Sequence, residues 1–215
     1  MAPDPIDRPF RSYLETTYSP IPRDDQERIL DNIDFLIELS RDRKHSTNEV
    51  LEQLAKFIFR MFGFGEVAIG LKTREDGFFR YVTFFGLRKD VERNFRKLKY
   101  TEQEMTSNDA FPHVMLGKTI CINPVEGLPK DEEPYFNRPY SLKGKRASND
   151  EFREGDYIDA FMYGPGKEVV GWIEVSAPKD GKMPSRGTLR WLELVASIAS
   201  LIVTQKWAEE GPIRK

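Results

Sequence analysis

Polar side chains at alternate positions of a predicted strand are the first residues here whose types and spacing suit chemistry. Trp172, Glu174 and Ser176 alternate with apolar residues, so they share one face of that strand. Asp159 lies within a second predicted strand. A few polar groups on an apolar concave surface fix the orientation of a bound small molecule. The simpler alternative is a sheet face open to water, on which these side chains are only solvated.

Gly70 occupies the small face of a third predicted strand. Val67, Ile69 and Leu71 form the bulky face of that strand, whereas Ala68 and Gly70 form the small one. A glycine inside a strand often marks a place where another group approaches the backbone. We therefore predict that Gly70 lies behind a ligand-binding site shared with the other two strands.

One cysteine and two histidines are the remaining candidates for covalent or metal chemistry. Cys121 stands between two isoleucines, which is typical of a small buried residue, and a single cysteine excludes an intrachain disulfide and a cysteine-based zinc site. His113 is a candidate pocket residue, but His45 is far from it in the sequence, which favours a surface histidine over a metal ligand. We expect no metal and assign no catalytic residue.

Two basic clusters are candidate sites for anions. Lys143, Lys145 and Arg146 lie in the long polar segment 125–153 and suit a phosphate or a carboxylate. The run 88–100 interleaves cations with aromatic rings, as single-strand nucleic-acid-binding segments do, but acidic residues dilute its charge and favour a solvated surface. The net charge of −2 gives the whole chain no preference for nucleic acid or an anionic membrane.

Hydrophobic periodicity predicts the elements that must position these residues. In chain order they are helices over 24–39 and 46–61, a hairpin over 67–85, a covering helix over 106–116 that carries His113, strands over 118–124, 157–163 and 169–175, and a long helix from Ser185 to Trp207. The last helix has two apolar stripes. One can lie on the sheet, and the other needs a second helix or a second subunit.

The order of these elements resembles a GAF domain, a small-molecule-sensing and dimerising module of signalling proteins. The resemblance lies in the strand GWIEV before an acidic turn and the helix LRWLELVASIA, and in a hairpin with AIGL, DG and FGL. It covers residues 46–207, which leaves 1–45 as an N-terminal extension with a helical lead-in and 208–215 as a tail. It implies an α/β (α+β) fold, with terminal helices on one face of a mostly antiparallel sheet and a loop and short-helix cap over a pocket on the other.

The resemblance also implies a function. We expect a non-enzymatic, cytoplasmic sensory or regulatory domain that either binds a small molecule or uses a degenerate pocket for dimerisation and partner contact. The expected dimer is a homodimer through the terminal helices, and a protein effector is a further candidate partner. No signal peptide or membrane-spanning segment is expected. Two alternatives remain open: an enzyme of this fold acting on a small metabolite, similar to free methionine sulfoxide reductase, and a nucleic-acid-associated regulator.

Departures from the family's known motifs narrow the choice of ligand. The reductase needs more than one cysteine, so Cys121 alone disfavours it. Bilin-binding relatives have histidine after the attachment cysteine, whereas Ile122 stands here, and His113 lacks a second ligand that would favour haem. The motif of cyclic-nucleotide-binding relatives is not matched at Ala177 and Pro178. The identity of the ligand is left open.

Overall fold

The computed structural model describes residues 8–17, 24–127, 135–142 and 145–211. The elements within these ranges are helices α1 (Arg8–Thr17), α2 (Asp25–Arg41), α3 (Thr47–Met61), α4 (Lys89–Phe95), α5 (Glu102–Thr106) and α6 (Arg186–Glu210), and strands β1 (Phe64–Lys72), β2 (Phe79–Phe85), β3 (Val114–Met115), β4 (Ile120–Asn123), β5 (Tyr157–Tyr163) and β6 (Val169–Pro178). Short 3-10 turns lie at Val125–Gly127 and Pro139–Leu142.

The six strands form one antiparallel sheet in the order β2-β1-β6-β5-β4-β3. β6 is last in the chain but central in the sheet, where it pairs with β1 on one side and β5 on the other. The predicted mostly antiparallel α/β architecture is confirmed. Because β6 joins the two halves of the sheet, the polar residues of β5 and β6 become direct neighbours.

The helices α3 and α6 cover one face of the sheet, and α2 packs against these two helices. Ile69 of β1 and Ile173 of β6 are buried there together with Leu192 and Ala199 of α6. Complete burial of one such aliphatic side chain contributes about 1.5–3 kcal/mol. The bulky face of the predicted hairpin strand therefore packs against the helices, and its small face lies on the opposite side of the sheet.

Helix starts agree with the capping residues in the sequence. Ser46 and Glu49 form a capping box at the start of α3, since each side chain accepts a hydrogen bond from the other's backbone N–H. Ser185 caps α6 by accepting a hydrogen bond from the Thr188 N–H at 3.1 Å. The backbone N–H groups in the first turn of a helix have no partner within the helix, and these side-chain oxygens accept hydrogen bonds from them.

α6 is the one described helix that is long and apolar enough, by length and composition, to span a membrane. It nevertheless buries Glu193 and Lys206 inside the domain. Glu193 Oε1 accepts hydrogen bonds from the backbone N–H groups of residues 118 and 119, and Lys206 Nζ donates to the carbonyls of Asp42 and His45. Buried charges with partners of this kind identify α6 as a core helix of the domain.

The predicted covering helix over 106–116 is wrong. The helical turn α5 ends at Thr106, a turn follows, and the segment finishes as strand β3. The Ser107 hydroxyl accepts from the Asp109 N–H, and Asn108 Oδ1 accepts from the His113 N–H at 2.8 Å. These local bonds compete with helical hydrogen bonds, and Pro112 cannot donate one. His113 therefore lies in a loop just before β3.

Candidate functional site

The sheet face opposite the three helices carries the candidate site. Residues facing each other on adjacent antiparallel strands have Cβ atoms about 4.5–5.5 Å apart, so the register places them in cross-strand rows. The three rows are Glu66–Ser176–Tyr157–Asn123, Ala68–Glu174–Asp159–Cys121 and Gly70–Trp172–Phe161. The sequence-predicted residues Asp159, Trp172, Glu174 and Ser176 therefore lie on one continuous surface.

A cavity of about 410 Å³ lies over this surface. Glu66, Glu174 and Ser176 contribute to its floor, and its walls come from segments that are distant in the sequence. A smaller recess of about 30 Å³ adjoins it and is lined partly by Asp159 and Trp172. The predicted arrangement, with helices on one face and a capped pocket on the other, is confirmed.

Aromatic rings form much of the cavity wall. The ring of Tyr81 lies 4.8 Å from those of both Phe95 and Trp172, centroid to centroid. Tyr100 and Phe111 pack edge to face at 5.6 Å beside them. The pocket is therefore apolar and aromatic around a carboxylate floor, a combination typical of small-molecule sites.

Glu174 connects the cavity and the recess, because it lines both. The Tyr81 hydroxyl donates a hydrogen bond to Glu174 Oε2 at 2.5 Å. Burial, reinforced by the neighbouring Glu174 carboxylate, raises the pKa of Tyr81 well above its usual value. Tyr81 therefore remains a hydrogen-bond donor and holds the Glu174 carboxylate in position.

Asp159 is a buried carboxylate of the site, with 7 % of its surface exposed. Its Oδ2 accepts a hydrogen bond from Asn123 Nδ2 at 3.0 Å, whereas its buried Oδ1 accepts none from any residue that the structure describes. Burial, and then the negative charge of Glu174, raise the pKa of Asp159 well above the usual range of a carboxyl group. A buried acceptor without a partner is costly and calls for a functional explanation.

Glu66 is the third carboxylate on the floor. The Ser176 hydroxyl donates to Glu66 Oε2 at 2.6 Å, and Asn137 Nδ2 donates to Oε1 at 2.7 Å. Burial raises the pKa of Glu66 despite these two hydrogen bonds. Glu66 escaped sequence analysis because the strand was predicted to begin at Val67, whereas β1 begins at Phe64.

The raised pKa of Asp159 predicts a pH-dependent gain in stability for Asp159→Asn. Above the unfolded pKa near 3.8 the unfolded chain releases this proton while the folded chain retains it, so folding becomes less favourable by about 1.4 kcal/mol per pH unit up to the folded pKa. We expect Asp159→Asn to raise the free energy of unfolding at pH 7 by at least about 1 kcal/mol, with the gain vanishing towards pH 4. Urea unfolding at several pH values measures this.

The matched control for that measurement is Asp34→Asn, which changes an exposed carboxylate on α2. We expect Asp34→Asn to leave stability nearly unchanged across the same pH range. A loss of stability in Asp159→Asn at pH 7 would show that the folded protein holds Asp159 ionised.

Gly70 and Trp172 have a packing role that the sequence did not reveal. The Trp172 indole is 1 % exposed and lies against the Cα of Gly70, where an added Cβ would stand 2.0 Å from Trp172 Cη2. The group that approaches Gly70 is therefore the protein's own ring. Trp172 lines the recess, as does His113, whose Nδ1 lies 2.8 Å from the Phe111 carbonyl oxygen.

The three residues of the basic cluster in segment 125–153 have different environments in the structure. Lys143 lies outside the described residues, and Lys145 is exposed. The Arg146 guanidinium pairs with Asp156 at 2.8 Å and with Glu126 at 2.8 Å. These pairs fix the loop beside the cavity, because Asp156 lines it. The anions that Arg146 contacts here are the protein's own carboxylates.

The basic run 88–100 is also neutralised locally. Arg88 pairs with Asp90 at 2.5 Å and Arg96 pairs with Glu92 at 2.7 Å, while the Arg96 guanidinium lies 4.9 Å from the ring centroid of Phe84. Arg88 and Arg96 thus contact neighbouring carboxylates and, for Arg96, a ring of the same fold.

Cys121 lies on the site's surface but as a buried thiol. Burial, followed by the charge of Asp159, raises the pKa of Cys121 to about 12, so the thiol is protonated at neutral pH. Among the described residues, no group of three or more His, Cys, Asp and Glu side chains is arranged to hold a metal ion.

Comparison with known proteins identifies the fold. No model of a sequence family matches the chain, and no curated protein sequence matches it. Among solved structures, the GAF domain from an Acinetobacter phosphoenolpyruvate-protein phosphotransferase has a TM-score of 0.53 and 9% identity, with 83% of this chain and 94% of that chain covered. The corresponding domain from Coxiella burnetii gives 0.54 and 9%, with 85% and 96% covered.

A third similar structure comes from a different kind of protein. The GAF domain of a putative sensor histidine kinase from Pseudomonas syringae pv. tomato has a TM-score of 0.51 and 8% identity, with 94% of this chain and 96% of that chain covered. The alignment thus extends over nearly the whole of both chains. Together with the sheet order and the capped cavity, these similarities show that the chain has the fold of GAF domains.

Proposed function

We propose that this protein is a regulatory GAF-type domain that binds a small organic molecule in the cavity above β1, β5 and β6. The observation that carries this proposal is the 410 Å³ cavity, which stands on a floor of carboxylates and is walled by aromatic rings. Its volume lies within the range of about 300–1,000 Å³ that is usual for ligand pockets. The sensor and phosphotransferase proteins that contain similar domains support a regulatory role.

The local chemistry supports binding rather than covalent catalysis. The Cys121 thiol is buried and protonated, and the carboxylates on the floor are each held by hydroxyl or amide donors. A nucleophilic mechanism needs an activated group with a base within hydrogen-bond reach. The described site offers carboxylates that can fix the orientation of a polar group within an apolar pocket.

Ligand-detected NMR with a set of aromatic amines, alcohols and acids of about eight to fifteen non-hydrogen atoms tests this proposal. We expect members of the set to bind the wild-type protein and to lose binding in Ser176→Phe, which places a ring on the cavity floor. Ser197→Phe is the matched control, because Ser197 is exposed on α6, on the other side of the sheet. Absence of binding from the whole set, or equal binding to both variants, would refute the proposal.

A second copy of this chain is the partner that we propose for the helical face. Leu30 and Phe35 of α2 are each 51% exposed, and Leu194 and Leu201 of α6 are 46% and 69% exposed. α2 and α6 contact each other, so these exposed side chains all lie on the helical side of the sheet. The buried stripe of α6 occupies the sheet, and its exposed apolar stripe suits a helix-to-helix contact between two copies.

Sedimentation velocity over a range of protein concentrations measures this association. We expect the wild-type chain to form a dimer and Leu201→Glu to shift the equilibrium to monomer, because it places a charge in the contact. Val114→Glu, which places the same charge at an exposed apolar residue of edge strand β3 instead of on the helices, is the control and is expected to remain dimeric. A wild-type monomer at high micromolar concentration contradicts this part of the proposal.

A further inference from the structure

The outer edge of strand β2 is open over its last four residues. β2 stands first in the strand order, and β1 is the strand that pairs with it in the sheet. At its start, Phe79 exchanges two backbone hydrogen bonds with Tyr100, at 2.8 and 3.0 Å. Among the described residues, the backbone groups of 82–85 have no hydrogen-bond partner outside β1. An edge with unpaired N–H and C=O groups can pair with another extended chain.

A groove of about 260 Å³ follows this open edge. The part of β2 that lines the groove consists of four consecutive residues, which are Val82, Thr83, Phe84 and Phe85. Successive side chains of a strand point to opposite faces of the sheet, so a groove that touches all four residues lies along the edge itself. Residues of α3 form one wall of the groove, and residues of α4 with Arg96 directly after it form the other.

The walls give the groove an excess of positive charge. The charged residues that line it are three cations and two carboxylates: Lys56, Lys89, Arg96, Glu52 and Glu92. Glu92 is already paired with Arg96 at 2.7 Å and with Lys89 at 3.5 Å. Lys56 forms no ion pair with a described residue, and neither do Arg93 and Lys97 beside the groove. Such a surface attracts an acidic partner.

An extended acidic peptide satisfies both features of the groove. Its backbone supplies donors and acceptors for the strand edge, and its carboxylates face the cations of the walls. A single-stranded nucleic acid would supply the negative charge but no backbone that continues a sheet. A second copy of β2 would supply the backbone but would bring two basic walls together, and such like-charge contacts are costly. The two features together therefore favour the peptide.

We propose that the open edge of β2 is a docking site for an acidic, extended segment of a partner protein, which adds a further strand to the sheet. The backbone of the segment pairs with 82–85, and its carboxylates lie against Lys56 and the cations of α4. The groove shares no lining residue with the main cavity. This inference therefore goes beyond the proposed small-molecule function and does not depend on it.

Capped seven-residue peptides test the proposal. The probe is Glu-Val-Glu-Val-Glu-Val-Glu with acetyl and amide ends, and the comparison peptide has lysine in place of each glutamate. Titrations of the ¹⁵N-labelled wild-type chain are followed by ¹H–¹⁵N NMR. We expect the acidic probe to shift the amide signals of 82–85 and to bind about tenfold more tightly than the basic peptide. No shift at these residues with millimolar probe, or equal affinity for both peptides, overturns the proposal.

Two N-methylated forms of the acidic probe test strand addition itself. The N–H groups of alternate residues in an extended chain point to opposite edges. Methyl groups on the third and fifth residues therefore block one edge of the peptide, whereas methyl groups on the fourth and fifth residues block both. We expect the first form to bind like the unmodified probe and the second to bind about tenfold more weakly. Equal affinities of the two forms would show that charge alone holds the probe, and would overturn the proposal.

Lys56→Glu tests the location of the site. We expect this charge reversal to weaken binding of the acidic probe about fivefold. Lys118→Glu is the matched control, because Lys118 is exposed just before β4, near the opposite edge of the sheet. Equal affinity of the two variants contradicts the proposal, and so does tighter binding of an eight-nucleotide oligothymidylate than of the probe. The peptide comparisons use the wild-type chain, so they decide the outcome even if Lys56→Glu does not fold.

Discussion

Gly70→Ala is expected to destabilise the protein by about 3 kcal/mol, the upper end of the usual range for overpacked cores. The added Cβ would stand 2.0 Å from Trp172 Cη2 and 2.1 Å from Cζ3, far inside van der Waals contact. The indole cannot move aside easily, because it is 1% exposed and packs against Phe79 and Tyr81. Chemical denaturation measures the loss, and a calorimetric melting temperature about 6–12 °C lower is expected.

Gly187→Ala is the matched control for Gly70→Ala. Gly187 lies in the first turn of α6, where the nearest atom to an added Cβ is Ser185 Oγ at 3.6 Å. Alanine is the better helix former, so this variant is expected to be as stable as wild type or more stable. If Gly70→Ala were equally stable, the close packing of Trp172 on the β1 backbone would be wrong.

Asp156→Ala is expected to cost about 3–5 kcal/mol, because it removes a buried acceptor of several hydrogen bonds and each buried donor left unsatisfied costs about 1–3 kcal/mol. Asp156 is 1% exposed and accepts hydrogen bonds from the backbone N–H groups of Val125 and Arg153 as well as from the Arg146 guanidinium. Alanine would leave the cation and both N–H groups without this acceptor. Urea unfolding measures the loss of stability.

The same variant has a local consequence that hydrogen exchange detects. Asp156 joins the turn after β4 to the loop before β5, and both Asp156 and Arg153 line the main cavity. We expect the amide protons of Val125 and Arg153 to exchange faster in Asp156→Ala. Asp150→Ala, which removes an exposed pair with Lys182, is the control and is expected to change stability little. Equal effects of the two variants would contradict the structural role of Asp156.

Some buried residues of the site lower the stability of the fold, whereas others raise it. Asp159 is buried with an acceptor atom that no described residue satisfies, and its replacement by asparagine is expected to stabilise the fold. Residues that lower stability without a packing benefit are characteristic of binding sites. Gly70 and Asp156 differ from Asp159. Gly70 leaves the space that the Trp172 ring fills, and Asp156 accepts several hydrogen bonds, so substitution of either residue is expected to destabilise the fold.

Local patterns in the sequence determined the types of most elements and the two faces of the sheet. Alternation in β1 and β6 separated Ile69 and Ile173 from Trp172 and Glu174, and capping residues placed the starts of α3 and α6. Such patterns are reliable because they depend on the backbone period alone. They failed over 106–116, where side-chain hydrogen bonds to the backbone replaced helical ones.

Only the tertiary structure decided which residues meet at the site. The pairing of β6 with both β1 and β5 puts Glu174 opposite Asp159, and loops from distant parts of the chain bring Tyr100 and Phe111 over them. The tertiary structure also showed that the group next to Gly70 is the ring of Trp172 and that Arg146 contacts the protein's own carboxylates. Strand register and loop packing depend on contacts far apart in the sequence, which no local period encodes.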